Sequence, residues 1–347
     1  MKLGGERLLN NEKFLSICIP SYNRPNELLR LLNSIDASDE KKIEVVIRED
    51  NAPKRSEVRH VVDEFRRNTK YTVIYIENED NFGYDRNIRN VAESATGKWV
   101  LFMGDDDVFI KGSLDKYIDF LKHHKSLGYI LRRYRSEDFS GKEEEFRYSD
   151  RHVFLRPGEK AIIEFFRRSV FISGFTFQKK YFKDYDCFDY DGTLLFQLYI
   201  QACICLKYPS AYCDIPITKR IEGGVPFFGK SESEKDLYDS GKNTIQNSIN
   251  FLGQVKVIAE SFDVKNNTNV TKDIMKSYSK YSYGYLIEHR EEGAKIFNRY
   301  AKELKKIGLG DSFYFDIYYY ALLILGKKRC QKLIRMLKII YKKTPRL

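Results

Sequence analysis

Three consecutive aspartates, Asp105, Asp106 and Asp107, follow Gly104 at the end of an apolar run, 98–103 (KWVLFM). A short run of this kind suits a strand covered on both faces. Adjacent carboxylates repel one another and stay ionised at low cost only beside water or a cation. Open α/β sheets take their ligands at the carboxyl ends of the strands, so a hard divalent cation accounts for the cluster well. The plainer alternative is an acidic turn capping a helix over 111–121. Upstream, 81–83 reads as a turn. Ile88, Val91, Ala92 and Ala95 then recur at helical spacing until Gly97 ends the helix.

The same alternation precedes this segment. Apolar runs at 14–19 (FLSICI), 43–47 (IEVVI) and 71–76 (YTVIYI) each have the length of a buried strand. Between them lie amphipathic stretches. One is capped by Asn26 and carries Leu28, Leu29, Leu31, Leu32 and Ile35. The other, 56–68, turns Val58, Val61, Val62 and Phe65 inward. Strand and helix in strict alternation imply a parallel, doubly wound α/β sheet. Each strand ends in residues that cannot be core: SYNR, EDN, ENEDN and GDDD. All four clusters converge on one sheet edge, where this architecture binds its ligand.

Four stretches, ICIPSYNRPNELLRLLNSI, EVVIREDNA, ENEDNFGYDRNIRNVAESATGKWV and LFMGDDDVFIKGSL, cover roughly residues 14–115 in order. In this set the chain resembles the family-2 inverting glycosyltransferases, and more narrowly the abequosyltransferase-like enzymes of surface polysaccharide assembly. The resemblance implies a GT-A (Rossmann-like) mixed sheet flanked by helices over 1–220 and a mostly helical region over 221–347. It implies transfer of a sugar from a nucleotide-sugar donor to a glycan acceptor carried on lipid. On that pattern Pro20, Tyr22, Asn23 and Arg24 pack on the nucleoside, with Asn81 and Gly83 nearby, and Asp50 accepts from the base imide. Asp105 serves the ribose side, and Asp106 holds Mn²⁺ or Mg²⁺ with Asp107 beside it. Two departures stand out: Glu49-Asp50 replaces a common Asp-Asp, and Gly104 lies where a first Asp is usual. Arg86 or Arg89 could add a positive contact to the diphosphate. The Glu-Asp pair that usually supplies the catalytic base is missing. Asp191 is the nearest match and Asp189 the next, and either could instead cap the helix over 194–206.

Beyond 115 the pattern weakens. Residues 132–150 read as an exposed, charged hairpin or loop, and 170–177 (VFISGFTF) as an apolar segment passing close to the sugar at Ser173-Gly174. The Gly-rich stretch 222–229 suits an acceptor lid or an ordinary connection. Helical periodicity then runs over 237–261, 271–289, 293–306, 312–325 and 327–343. Net charge is +11. Residues 221–347 hold 23 Lys+Arg against 14 Asp+Glu, and no acid follows Asp316. The last helix pairs those cations with an apolar face. It is expected either to pack on the domain or to lie on an anionic membrane surface. The six cysteines form no CxxC pair and no secretory segment is evident, which fits a cytoplasmic protein placed peripherally at the inner face of the membrane. A sugar nucleotidyltransferase would also use strand-end carboxylates and a metal, but SYNRPNE lacks the glycines of its phosphate loop. A nucleic-acid-binding protein would line a groove with its basic residues instead of gathering them at one end.

Overall fold

The computed structural model describes the backbone of residues 13–341 except 139, 186 and 225, and side chains as far as 336 except 335. The first twelve residues and the end of the expected tail helix lie outside the described residues. β1 (Leu15–Ser21), α1 (Pro25–Asn33), β2 (Ile43–Glu49), α2 (Arg55–Asn68), β3 (Thr72–Glu77), α3 (Tyr84–Glu93) and β4 (Trp99–Phe102) alternate as the periodicity requires. β1 pairs parallel with β2 and β4, and β2 pairs parallel with β3. α1 begins at Pro25, so Arg24, and not Asn26, occupies the cap position. Proline has no N–H to leave unpaired and its φ suits a first helical turn, which starts the helix early.

After β4 the sheet becomes mixed. The chain continues through β5 (Val108–Phe109), α4 (Leu114–His123), β6 (Tyr129–Glu137), β7 (Glu143–Phe146), β8 (Val153–Leu155), α5 (Glu159–Phe166), β9 (Phe175–Gln178), α6 (Phe196–Lys207) and β10 (Ser210–Ile221). The strand order is β3-β2-β1-β4-β9-β6-β10-β5, with β7 beside β6 and β8 beside β10. β9 runs antiparallel to both β4 and β6. The charged segment 132–150 does form the β6–β7 hairpin, but its first residue is not exposed. Arg132 is fully buried and donates to the carbonyls of Ser173 (2.8 Å) and Phe171 (2.5 Å). That satisfied guanidinium fixes the backbone leading into β9.

Five helices follow: α7 (Ile245–Asn266), α8 (Thr271–Lys280), α9 (Tyr283–Glu288), α10 (Ala294–Leu304) and α11 (Phe313–Tyr341). α7 starts at Ile245 and not near Leu237, because Gly241 adopts φ 66° and Thr244 caps the helix by accepting from Asn247 N at 3.1 Å. α11 is kinked at Gly326 (φ 74°). One sheet face packs Ile17, Ile19, Val45 and Ile47 against Leu28 and Leu31 of α1 and Val58 and Val62 of α2. The opposite face shares a continuous core with the later helices, joining Phe175 and Phe177 to Phe196, Val255, Phe262 and Tyr300. Burying each such aromatic or aliphatic side chain stabilises the fold by about 1.5–3 kcal/mol. The strand ends beside that core are therefore held rigidly.

Candidate functional site

A cleft of about 380 Å³ opens at the carboxyl ends of β1, β2 and β4. Pro20, Tyr22 and Arg24 line it from the turn after β1, and Asp50 lines it from the end of β2. Asn81 and Gly83 reach it from the turn before α3, and Asp105 and Asp106 from the end of β4. The facing wall is mostly apolar, built by Val170, Ile172, Leu194 and Phe251 with Gln197. Phe227 and Phe228, from the expected lid, complete it.

Asp50 is buried and organises the turn before α3. Its carboxylate accepts from Asn78 Nδ2 (2.6 Å), Phe82 N (3.0 Å) and Gly83 N (2.9 Å). Burial raises its pKa to about 6, against the lowering effect of those three donors. Asp105 is tied to the first turn: Oδ2 accepts from Tyr22 N (3.0 Å) and Oδ1 from Arg24 Nη1 (2.9 Å). Burial pushes its carboxyl up as well, while Arg24 opposes the shift. Asp106 keeps 27% of its side chain exposed and lies 3.0 Å from the same Arg24 nitrogen. Among the described residues no group of three or more His, Cys, Asp or Glu is placed to hold an ion. One or two carboxylates, however, is what Mg²⁺ or Mn²⁺ takes from a protein when substrate phosphates and water complete its shell. Asp105 and Asp106 fit a cation of that kind.

Five expected residues lie elsewhere. Asn23 does not line the cleft. It adopts φ 60° and accepts from Lys54 N (3.2 Å), bracing the start of α2. Arg86 is exposed, stacks over Phe82 at 4.0 Å and does not line the cleft. Asp107 turns inward, accepting from Ser173 Oγ and from Ile221 N (3.1 Å). It joins β4, β9 and β10 and does not face the cleft, because a buried carboxylate goes where its donors are. Asp189 is mostly exposed and pairs with Lys265 Nζ at 2.6 Å. Asp191 is held by both oxygens on Arg89 Nη2, at 2.7 and 2.8 Å, and is absent from the cleft lining. A carboxylate committed to a buried guanidinium is a poor proton acceptor, so the base role expected for Asp191 is not supported by its placement. Neither aspartate caps α6. That task falls to Asp85, which accepts from Leu194 N (2.7 Å) and Phe196 N (2.9 Å).

The sequence reading missed Asp85 and Glu234. Both were hidden in polar strings that looked solvated, and no spacing signal marks either. Glu234 is buried in the cleft wall and bridges two loops, accepting from Tyr84 N (2.7 Å) and Gly229 N (2.8 Å). Gly83 is required beneath it: φ is +82°, and a Cβ would collide with Ser231 Oγ and approach Glu234 Oε1 to 2.7 Å.

Residues 16–186 match the family described as Glycosyl transferase family 2. This segment is a family 2 glycosyltransferase domain. The similarities to curated proteins are local. The chain is 33% identical over 100 residues to an abequosyltransferase of Salmonella typhimurium, covering 29% of this chain and 30% of that protein. It is 27% identical over 100 residues to a GalNAc(5)-diNAcBac-PP-undecaprenol beta-1,3-glucosyltransferase of Campylobacter jejuni, covering 29% of this chain and 32% of that one. The matches thus span about a third of these relatives' lengths. The likeness in fold is wider. S. aureus TarS 1-349, crystallised with UDP-GlcNAc, superposes with a TM-score of 0.54 over 92% of each chain at 14% identity. The chain therefore has the GT-A fold, with its mixed sheet and helical carboxyl-terminal region.

Proposed function

We propose that the chain transfers a sugar, with inversion, from a nucleotide-sugar donor to a glycan acceptor in surface polysaccharide or glycoconjugate assembly. The observation that carries this reading is the convergence of Asp50 from the end of β2 and Asp105 and Asp106 from the end of β4 on one cleft, with Tyr22 and Arg24 from the turn after β1. Tyr22 flanks the nucleoside, and Asp50 accepts from the base. Asp105, fixed by Tyr22 N and Arg24, is positioned to take a ribose hydroxyl. Asp106, with Asp105 beside it, would hold Mg²⁺ or Mn²⁺. When bound, such a cation neutralises the charge that develops on a departing diphosphate. The apolar wall of Val170, Ile172, Leu194 and Phe251 excludes water from the transferring sugar.

A lipid-linked acceptor is supported by two observations. The Campylobacter relative is named for an acceptor on undecaprenyl diphosphate. On α11, Phe313, Ile317, Tyr320 and Ile324 form an exposed stripe along one helical face, followed by Lys327, Lys328, Arg329 and Lys332. Among the described residues no helix is long and apolar enough to cross a membrane. The exposed stripe and its basic flank support a peripheral contact with the inner membrane surface, with residues 1–220 as the catalytic unit and 221–347 as its helical support.

The test is a thermal-shift panel of UDP, GDP, CDP and dTDP with and without Mn²⁺, followed by donor hydrolysis. A cation-dependent rise in melting temperature with one nucleotide, and release of that nucleotide from its sugar conjugate, are expected. No shift with any of the four would sink the reading.

A further inference from the structure

We propose that Arg24 is an internal counter-ion that holds Asp106 until a diphosphate arrives, making cation binding conditional on the donor. The inference rests on the nucleotide-sugar reading of the cleft. Arg24 Nη1 lies 2.9 Å from Asp105 Oδ1 and 3.0 Å from Asp106 Oδ2. A guanidinium in this position neutralises both carboxylates and stays charged at any working pH. Asp105 is buried and both of its oxygens already accept, one from Arg24 Nη1 and one from Tyr22 N, so Asp106, the more exposed of the pair, is the carboxylate an incoming cation meets first. Asp107 is committed to Ser173 and Ile221. Arg24 and an incoming cation therefore compete for Asp106.

The guanidinium is also covered from the solvent side. Its carbon sits 5.1 Å from the centre of the Phe227 ring. A Cβ on Gly224 would stand 3.1 Å from Asp106 Oδ2 and 3.4 Å from Arg24 Nη2. The backbone of the lid thus lies close against the ion pair, and a side chain at 224 would press on it. A diphosphate changes the balance, because a guanidinium binds phosphate oxygens as readily as carboxylates. With that second anion present, Arg24 can surrender Asp106, and the cation gains phosphate ligands at the same moment. Cation and donor then bind with positive coupling, and linkage makes the coupling reciprocal.

The direct measurement is a titration of the full chain with Mn²⁺ alone, following free Mn²⁺ by electron paramagnetic resonance. Wild-type protein should bind weakly. Arg24→Gln should bind more tightly by a factor of roughly 5 to 150, the usual range of such couplings. Arg24→Lys, which keeps the charge but loses the fork, should fall between them. Adding Asp106→Asn to Arg24→Gln should abolish the gain. Equal or weaker Mn²⁺ binding by Arg24→Gln, or an Arg24→Lys variant tighter than it, would overturn the proposal, as would a gain that survives Asp106→Asn. Melting curves of each variant check that it is folded, and Arg24→Lys alone still decides the direction if Arg24→Gln is not. Because the titration contains no nucleotide, it is decided separately from the nucleotide panel, whose failure would count against the donor reading alone.

Discussion

Replacing Asp191 by Asn should cost stability before it costs chemistry. Arg89 is 1% exposed, and its guanidinium is bounded by Asp191, by the carbonyl of Cys187 (2.6 Å) and by the ring of Phe188 at 4.1 Å. Asn removes the charge of Asp191 while the guanidinium stays buried. Breaking a buried pair from one side typically costs about 3–5 kcal/mol. Asp191 is one-fifth exposed and the Cys187 carbonyl remains, so about 2–3 kcal/mol is the expected loss. For a chain of this size, that lowers the melting temperature by roughly 3–4 °C. Differential scanning calorimetry on Asp191→Asn, Arg89→Met and the double variant measures the pair directly. The double variant should recover part of the loss, because the buried guanidinium that lost a partner is then gone too. Donor hydrolysis by Asp191→Asn, measured well below its melting temperature, should stay within a few-fold of wild type. A melting temperature unchanged within about 1 °C, together with a collapse in turnover, would refute this reasoning and return the base role to Asp191.

Further outcomes are expected elsewhere. Asp50 titrates near about 6, so nucleotide affinity should weaken as the pH falls through that value and an acceptor is lost. Asp50→Asn should flatten the profile, and an unchanged slope by calorimetric titration would mean that another group reads the base. Asp85 has its pKa raised by burial to about 7 from 3.8. A group raised in the folded state stabilises most below its unfolded pKa and loses that contribution as pH climbs through the folded one. Wild type should therefore lose stability between about pH 4 and 7 relative to Asp85→Asn, and parallel urea-unfolding curves for the two proteins would count against it. Ile324, 75% exposed on α11, should when changed to Glu reduce sedimentation with anionic liposomes at unchanged melting temperature. Undiminished sedimentation would remove the apolar stripe from the membrane contact.

The first half of the fold was legible because its strands are covered on both faces. Predominantly apolar runs such as IEVVI and WVLF suit buried strands at that length, and the polar residues at their ends point to a ligand edge. Tyr22, Arg24, Asp50, Asp105 and Asp106 were readable for that reason. The opposite wall was not, since Val170, Ile172, Leu194 and Phe251 look like ordinary core until the chain brings them to the cleft. Nor could spacing foretell that Asp191 would meet Arg89 across a separation of 102 residues. Asp107 misled for a related reason: three adjacent acids look alike in a string, yet the turn points only two of them into the cleft. Position within a turn decided their roles, and residue type carried no trace of it.

The bridge made by Glu234 has a consequence for how such an enzyme could be re-engineered. Its carboxylate fastens the lid to the very turn whose Phe82 and Gly83 amides are fastened to Asp50. On the proposed reading, base recognition and the mouth that would admit the acceptor are thus mechanically one part and not two interchangeable ones. Grafting a foreign 222–244 segment to change the acceptor would retune the donor as well, unless the graft brought its own carboxylate to the amides of Tyr84 and Gly229.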